Sequence, residues 1–350
     1  MNEQTTDSQS KRIPAEELMQ WSSDAFAACG MSRQDADTGA RVLLRTSLRG
    51  IDTHGVSRLP VYVEKLCNGE VDPHAQPLIE SRHGALHCDG RNGLGQVVAS
   101  RAMAETIATA RATALAACTI RNSGHLAALG MFLLQASEQG MFALLCQKTP
   151  PLMALPGSTA RAIGNNPIAF SMPVNDGPPM VFDMASSVVA RGNVLQAVRD
   201  KLPSIPEGWA IGPDGMPTTD PTQALAGAML PVAGYKGIGL AMLVECLAGS
   251  FSGTEPARNL NTGTAGSASD ASAFLLVINP ELMFGRAAFD AYSSAWLQHY
   301  LQASGPFARY PGQRQAACEA ERLREGIPLP AALREELRQV GERLGIGFHW

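Results

Sequence analysis

The apolar positions change period along the chain, and the changes mark its elements. From 14 to 48 they recur at helical spacing: Leu18, Trp21 and Phe26, then Val42, Leu43 and Thr46, with Ser32 placed to cap a second helix. Pro60 can open a further helix, and Asn68 with Gly69 gives it a stop. Residues 78–89 alternate loosely, as strands do, and 116–120, 141–146, 168–172, 180–182 and 274–278 read as further strands. Helices are expected over 96–111, 126–139, 187–200 and 237–252. Leu333, Leu337, Val340 and Leu344 form the stripe of a docking helix over 330–344. Strands mixed with helices predict an α/β or α+β chain. Residues 1–12 read as a disordered tail, and 255–272, rich in Gly, Ser and Ala, as a mobile loop.

Composition narrows the function classes. At 350 residues, with 45% hydrophobic and 17% charged positions, the chain can bury a large core and is not disordered as a whole. A net charge of −4 provides no basic footprint, so nucleic acid is not an expected partner. No apolar run reaches the ~18 residues of a membrane helix. The polar start, MNEQTTDSQSKR, has no apolar stretch of the kind a signal peptide needs. Seven cysteines include no C-x-x-C pair, which suits reduced thiols. Together these readings lead to an expected cytoplasmic location. His83 and His87 are four apart, but in a strand-like region, so no metal site is expected.

The densest chemistry lies in SLRGIDTHGVSRLP at 47–60, which holds Arg49, Asp52, Thr53, His54 and Arg58 around Gly50 and Gly55. If the chain is helical after Thr53, His54 and Arg58 share a face. A guanidinium can clamp a carboxylate through two parallel hydrogen bonds, and an imidazole can deliver or remove a proton near neutral pH. A solvated turn capped by Asp52 or Thr53 would use the same residues. His125 follows a strand and precedes a helix, a corner where backbone N–H groups can meet a phosphate. It could equally cap that helix. Gly90, Gly93 and Gly95 lie between a strand and a helix, but a third glycine at dinucleotide-loop spacing is missing, as is an acidic residue about twenty positions on. An ordinary Rossmann fold is therefore not expected. Asn165 sits in a turn before a strand. Asp183 ends a strand and could orient a histidine, hold a ribose or cap a helix. Lys236 opens an apolar helix, where a cation is unfavourable unless it meets an anion or extends into solvent.

Taken together, RGIDTHGVSRLPVY at 49–62, DGRNGLGQ at 89–96, RNSGHLAALG at 121–130, IGNNPIAF at 163–170, FDMASSVVARGNV at 182–194, DGMPTTDP at 214–221, GYKGIGLAMLVECLAG at 234–249, YPGQR at 310–314 and EGIPLP at 325–330 resemble the malate/L-lactate dehydrogenase family of the sulfolactate dehydrogenase-like type. This family is distinct from the Rossmann-fold lactate and malate dehydrogenases. The resemblance spans roughly residues 14–345. It implies a non-Rossmann NAD(P)-binding α/β fold, with a helical substrate part over 13–120 and 310–350 around a cofactor part over 121–309. It implies NAD or NADP as cofactor, a small carboxylate substrate, a homodimer, and hydride transfer to a 2-keto acid or the reverse. By motif match, His54 is the expected proton donor, Arg58 the carboxylate clamp and Arg49 its support, with Asp183 counted beside them among the catalytic residues. Cofactor contacts would fall to His125, Leu126, Ala127, Asn165, Asp183, Met184, Ala185, Lys236 and Gly312. Asn165 stands where Thr is usual, Ala233 where Gly is common and Gln313 where Glu is frequent. Members acting on cyclic imino acids resemble a Ser-His-Gly form, and some have Asp near 193; here the residues are Thr53 and Asn193. Reduction of a cyclic imino acid, or a catalytically silent nucleotide-binding homologue, are the alternatives.

Overall fold

The computed structural model describes residues 10–254 and 271–350. Helices Ala15–Ala28 and Arg33–Leu48 form where the apolar spacing predicts them, and Ser32 caps the second by accepting from the Asp35 amide at 3.2 Å. Their apolar faces pack on helices Leu59–Cys67 and Ala331–Leu344 around Leu18, Phe26, Leu43, Leu59 and Leu337. A second core lies under a seven-stranded sheet. Its order is Leu78–Arg82, Ala85–Asp89, Leu115–Arg121, Ser272–Ile278, Phe142–Lys148, Ile168–Met172 and Met180–Met184. Helices Gly95–Thr113 and Gly130–Ser137 bury Met103, Phe132 and Leu133 against it. Each such side chain contributes roughly 1.5–3 kcal/mol on leaving water.

Only Ala85–Asp89 and Leu115–Arg121 run parallel in this sheet; the other neighbouring pairs are antiparallel. A doubly wound dinucleotide fold needs a mostly parallel sheet, so the expectation of a non-Rossmann α/β fold holds. A smaller five-stranded sheet joins Pro151–Met153 and Ile163–Gly164 to short strands between 210 and 229. No helix among the described residues is long and apolar enough to cross a membrane. All seven cysteines are free, and Cys29 and Cys67 bring their sulfurs to 3.9 Å.

Several elements differ from their sequence reading. Lys11 and Arg12 are not tail: strand Lys11–Ile13 pairs with Ile327–Leu329. The expected loop at 255–272 lies outside the described residues up to 270, and Ser272 already begins a strand. Strand Leu115–Arg121 sits between Ala85–Asp89 and Ser272–Ile278, so a domain boundary at 120 would cut through the central sheet. The helix expected over 126–139 starts only at Gly130, because Ala127 takes a φ of +71° that an α-helix excludes. The helix expected over 187–200 starts at Arg191, because Ser187 bridges Pro231 and the Val188 amide donates to the Leu230 carbonyl at 2.9 Å. Both late starts leave extended or irregular backbone at the ends of strands, where a ligand can approach main-chain groups.

Candidate active site

The 47–58 segment is anchored by distant residues. Arg322 donates to the Ser47 carbonyl at 2.5 Å and to Asp52 Oδ1 at 2.6 Å, while Ser47 Oγ accepts from the Val56 amide at 3.0 Å. Gly55 passes so close to Ser47 that a Cβ would overlap its hydroxyl. The chain therefore runs as two 3-10 turns, Asp52–His54 and Val56–Arg58, where one α-helical face was expected. Arg58 still lies within electrostatic reach of the His54 ring. Burial first, and the Arg58 charge second, pull the His54 pKa down to about 4, so the imidazole is neutral at pH 7. Its Nδ1 faces Thr53 Oγ1 at 3.0 Å, which leaves Nε2 for a substrate.

His125 reaches the same place from the loop after Leu115–Arg121, its ring centroid 6.0 Å from that of His54. Tyr62, one helical turn beyond Arg58, meets His125 Nδ1 at 2.7 Å. Burial pushes the Tyr62 phenol up to about 12, against the pull of Arg58 and Gln96 beside its oxygen. With those donors turned to the oxygen, the phenol hydrogen goes to His125 Nδ1, and Nε2 carries the hydrogen of the ring. The surrounding protein, then the charges of His54 and Arg58, take the His125 pKa down to about 3. The ring is nonetheless solvent-exposed, as a residue lining an open cleft can be: water touches one edge while protein surrounds the rest.

Gly90 and Gly95 serve this loop, and Gly93 packs against Ala75. A Cβ at Gly90 would stand 2.6 Å from the Asn122 carbonyl oxygen, and one at Gly95 would overlap the His125 carbonyl. Gln96, fully buried, donates to that same carbonyl at 3.4 Å.

Two expected catalytic residues have other work. The Asp183 carboxylate accepts from the Gly130 amide at 2.8 Å and so caps helix Gly130–Ser137. The low-dielectric setting raises its pKa to about 6, opposed by the Gly130 and Leu129 amides. Both histidine Nδ1 atoms face hydroxyl groups, so Asp183 orients neither ring. Arg49 is buried and pairs with Glu319 at 2.6 Å, with a longer contact to the Gly312 carbonyl at 3.4 Å. It supports the Gly312 turn instead of a substrate carboxylate. Gly312 itself has φ +101° and lies against strand Met180–Met184, where a Cβ would stand 2.7 Å from the Pro179 carbonyl oxygen.

The remaining residues form one connected wall. The Ser186 amide donates to the Asn165 carbonyl at 2.8 Å, and the Val232 amide donates to the Ser186 carbonyl at 2.9 Å. Asn165 Oδ1 accepts from Thr149 Oγ1 at 2.9 Å. Met184 and Ala185 are half-buried beside Asp183. Leu126 is buried and its amide donates to Gln147 Oε1 at 3.3 Å, so it supports the wall from behind. Strained backbone gathers here: Asn122, Ala127, Asn166 and Ala233 all have positive φ without being glycine. The value of +48° at Ala233 gives the physical reason why glycine suits that position.

Lys236 is exposed in the first turn of helix Tyr235–Val244, whose N-cap Gly234 offers no side-chain acceptor. An ammonium over uncapped amides is a seat for an anion. Gly124, with φ +63°, has open space where a side chain would stand. This donor set fits a phosphate-bearing dinucleotide laid along the wall.

Sequence reading missed Tyr62, Gln96 and Arg191, which lies within electrostatic reach of Arg58. Tyr62 was the findable one, because it continues the four-residue spacing of His54 and Arg58. Concavity alone would have pointed elsewhere. A groove of about 910 Å³ lined by Trp21, Ile346 and Trp350 shares no residue with this site.

Comparisons with known proteins point to one family. The model of the malate/L-lactate dehydrogenase family matches residues 13–338. Malate dehydrogenase of Pyrococcus horikoshii is 33% identical over 351 residues, covering 96% of this chain and 96% of that protein. A Delta(1)-pyrroline-2-carboxylate reductase of Ancylobacter novellus is 33% identical, over 91% of this chain and 94% of that one. The structure of sulfolactate dehydrogenase from Methanocaldococcus jannaschii superposes with a TM-score of 0.85 at 30% identity, over 97% of this chain and 98% of that chain. The chain belongs to the malate/L-lactate dehydrogenase family.

Proposed function

We propose that the protein is an NAD(P)-dependent oxidoreductase that interconverts a small 2-hydroxy acid and its 2-keto acid at His54 and Arg58. The carrying observation is a neutral, half-buried imidazole within electrostatic reach of a guanidinium whose Nε is buried without a partner among the described residues. Arg58 fixes the carboxylate on C1 and thereby sets C2 and its oxygen before His54 Nε2. A bound reduced nicotinamide supplies the hydride that C2 accepts. His54 gives its proton to the oxygen as negative charge develops there, and takes that proton back in the oxidation direction. Because free His54 is neutral at pH 7, it is ready as a base for oxidation, whereas reduction first requires it to take up a proton.

The cofactor residues on this reading are His125, Ala127, Asn165, Met184, Ala185, Lys236 and the Gly312 turn, with Leu126 and Asp183 shaping the wall. Either NADH or NADPH fits it, since neither an acidic ribose partner nor an arginine for a 2′-phosphate distinguishes them. A homodimer is part of the proposal. Helix Arg286–Ser304 turns Tyr292, Trp296 and Tyr300 outward, and a second copy would cover that apolar face.

A similar protein that reduces a cyclic imine carrying a carboxylate favours one second reading, imino acid reduction at the same pair. Thr53 and Asn193 weigh toward the hydroxy-acid reading, given the Ser and Asp that the imino-acid type resembles. A panel of 2-keto acids and cyclic imino acids with NADH and NADPH separates the two. The expected result is that a 2-keto acid gives the highest kcat/KM, and a cyclic imine giving it would replace the proposal with the second reading. Tight NAD(P)H binding without turnover across the panel would identify a silent homologue.

A further inference from the structure

Two of the free thiols, those of Cys29 and Cys67, face each other with their sulfurs 3.9 Å apart. Cys29 is the first residue beyond helix Ala15–Ala28, and Cys67 is the last residue of helix Leu59–Cys67. Each is followed closely by a turn: Gly30 has φ +95° and Gly69 has φ +77°. Both thiols therefore sit at helix ends, where the backbone can shift without breaking a full ladder of hydrogen bonds. A disulfide holds its sulfurs about 2 Å apart, so closing this pair needs a movement of about 2 Å.

Access to the two sulfurs is unequal. Cys67 is exposed, whereas Cys29 is half-buried against the core that holds Leu18, Phe26 and Leu59. Burial first, and Cys67 beside it second, push the Cys29 thiol up to about 12, while the Arg343 charge pulls it the other way. Cys67 is thus the thiol that a soluble oxidant meets first, and Cys29 stands behind it. Cys88, Cys118 and Cys146 are buried, out of reach of such an oxidant.

We infer that Cys29 and Cys67 form a redox modification site, a dithiol that a small disulfide of the glutathione class oxidises to an intramolecular bond across the two helix ends. The Cys67 thiolate attacks one sulfur of the small disulfide, and the other sulfur leaves as a thiolate. Cys29 then gives up its proton and attacks the Cys67 sulfur, which expels the second small thiolate. Two protein thiols are oxidised, the small disulfide is reduced to two thiols, and the two cysteine protons pass to them. The thiolate of Cys29 is scarce, but it lies next to its target, so the second step is intramolecular. Converting Cys67 to the mixed disulfide also removes a negative charge that opposes ionisation of Cys29.

The product is a staple. Cys29 and Cys67 are 38 positions apart, and the segment between them includes both turns that carry His54 and Arg58. Closing that loop restricts the unfolded chain and so favours the folded one. The site stands apart from the proposed chemistry of His54 and Arg58 and does not depend on it.

The test incubates the full chain with oxidised glutathione, quenches with acid and maps the peptides without reductant. The wild type should yield a peptide joining Cys29 to Cys67, which dithiothreitol separates again. Cys29→Ser should keep glutathione on Cys67, and Cys67→Ser should lose the link while leaving Cys29 largely unmodified. The oxidised wild type should melt several degrees higher than the reduced one, and Cys67→Ser treated in the same way should show no rise. Glutathione retained on Cys67 of the wild type, with Cys29 still free, would overturn the inference. So would a link from Cys67 to another cysteine or to a second chain. A linked protein that melts no higher would overturn the staple. The wild-type map decides the site by itself should either variant fail to fold.

Discussion

Replacing His54 with Ala should lower kcat by roughly 10²–10⁴-fold, the usual contribution of a positioned acid–base group. Cofactor affinity should scarcely change. The asymmetry follows from position: the His54 side chain contacts Thr53, and of the candidate cofactor residues it faces the His125 ring, whereas the rest of the dinucleotide seat runs along the Asn165, Ser186 and Val232 backbone to Lys236. The variant should fold, because the His54 side chain bonds only the Thr53 hydroxyl, and its amide bond to the Ile51 carbonyl survives the exchange. The anchors of its turn are Arg322 to Asp52 and Ser47 to Val56. Steady-state turnover and fluorescence titration with NAD(P)H would separate the two quantities. An undiminished kcat would remove His54 from the chemistry, and a large loss of cofactor binding would move it to the dinucleotide seat.

Arg58→Lys should raise the KM for the acid substrate by about ten- to a hundredfold while kcat falls less. Lysine keeps the positive charge but not the fork that can hold two carboxylate oxygens. Losing a hydrogen bond to a charged group costs about 1.5–3 kcal/mol, and 1.4 kcal/mol corresponds to a tenfold change. Some loss in kcat is also expected, since a substrate held at one point presents C2 less accurately to His54 Nε2. The exchange disturbs Tyr62 as well, because Arg58 lies beside the phenol that orients His125. Steady-state kinetics at saturating cofactor give both parameters. Unchanged KM with a reduced kcat would contradict the carboxylate clamp.

Local chemistry was legible in the sequence, and long-range support was not. The 47–60 segment stood out because its charged residues are packed between glycines, and Arg58 lies within electrostatic reach of His54. The assumed helix was wrong because Gly55 is held against Ser47, a packing event no periodicity reports. Arg49 looked like a substrate residue for the same reason as Arg58, but its partner, Glu319, is 270 residues away. Asp183 was readable as a cap, though the helix it caps is Gly130–Ser137, not the one that follows it in the chain. The glycines at 90, 93 and 95 had the wrong spacing for a dinucleotide loop, and the small size of Gly90 and Gly95 instead admits the backbone of the loop that carries His125. Arg191 carried no signal at all, since its meaning depends on lying within electrostatic reach of Arg58, which is far away in the chain.

The most direct test of the shared site is the titration of His54 by NMR, with and without oxamate, an unreactive mimic of a 2-keto acid. In the free protein its ring should titrate near pH 4, held down by burial and by Arg58. An acid seated on Arg58 cancels that positive charge and adds a negative one, so oxamate should raise the His54 pKa. It should do so in the wild type and much less in Arg58→Gln. A His54 ring that titrates at its ordinary value and ignores oxamate would contradict the claim that imidazole and guanidinium act on one molecule.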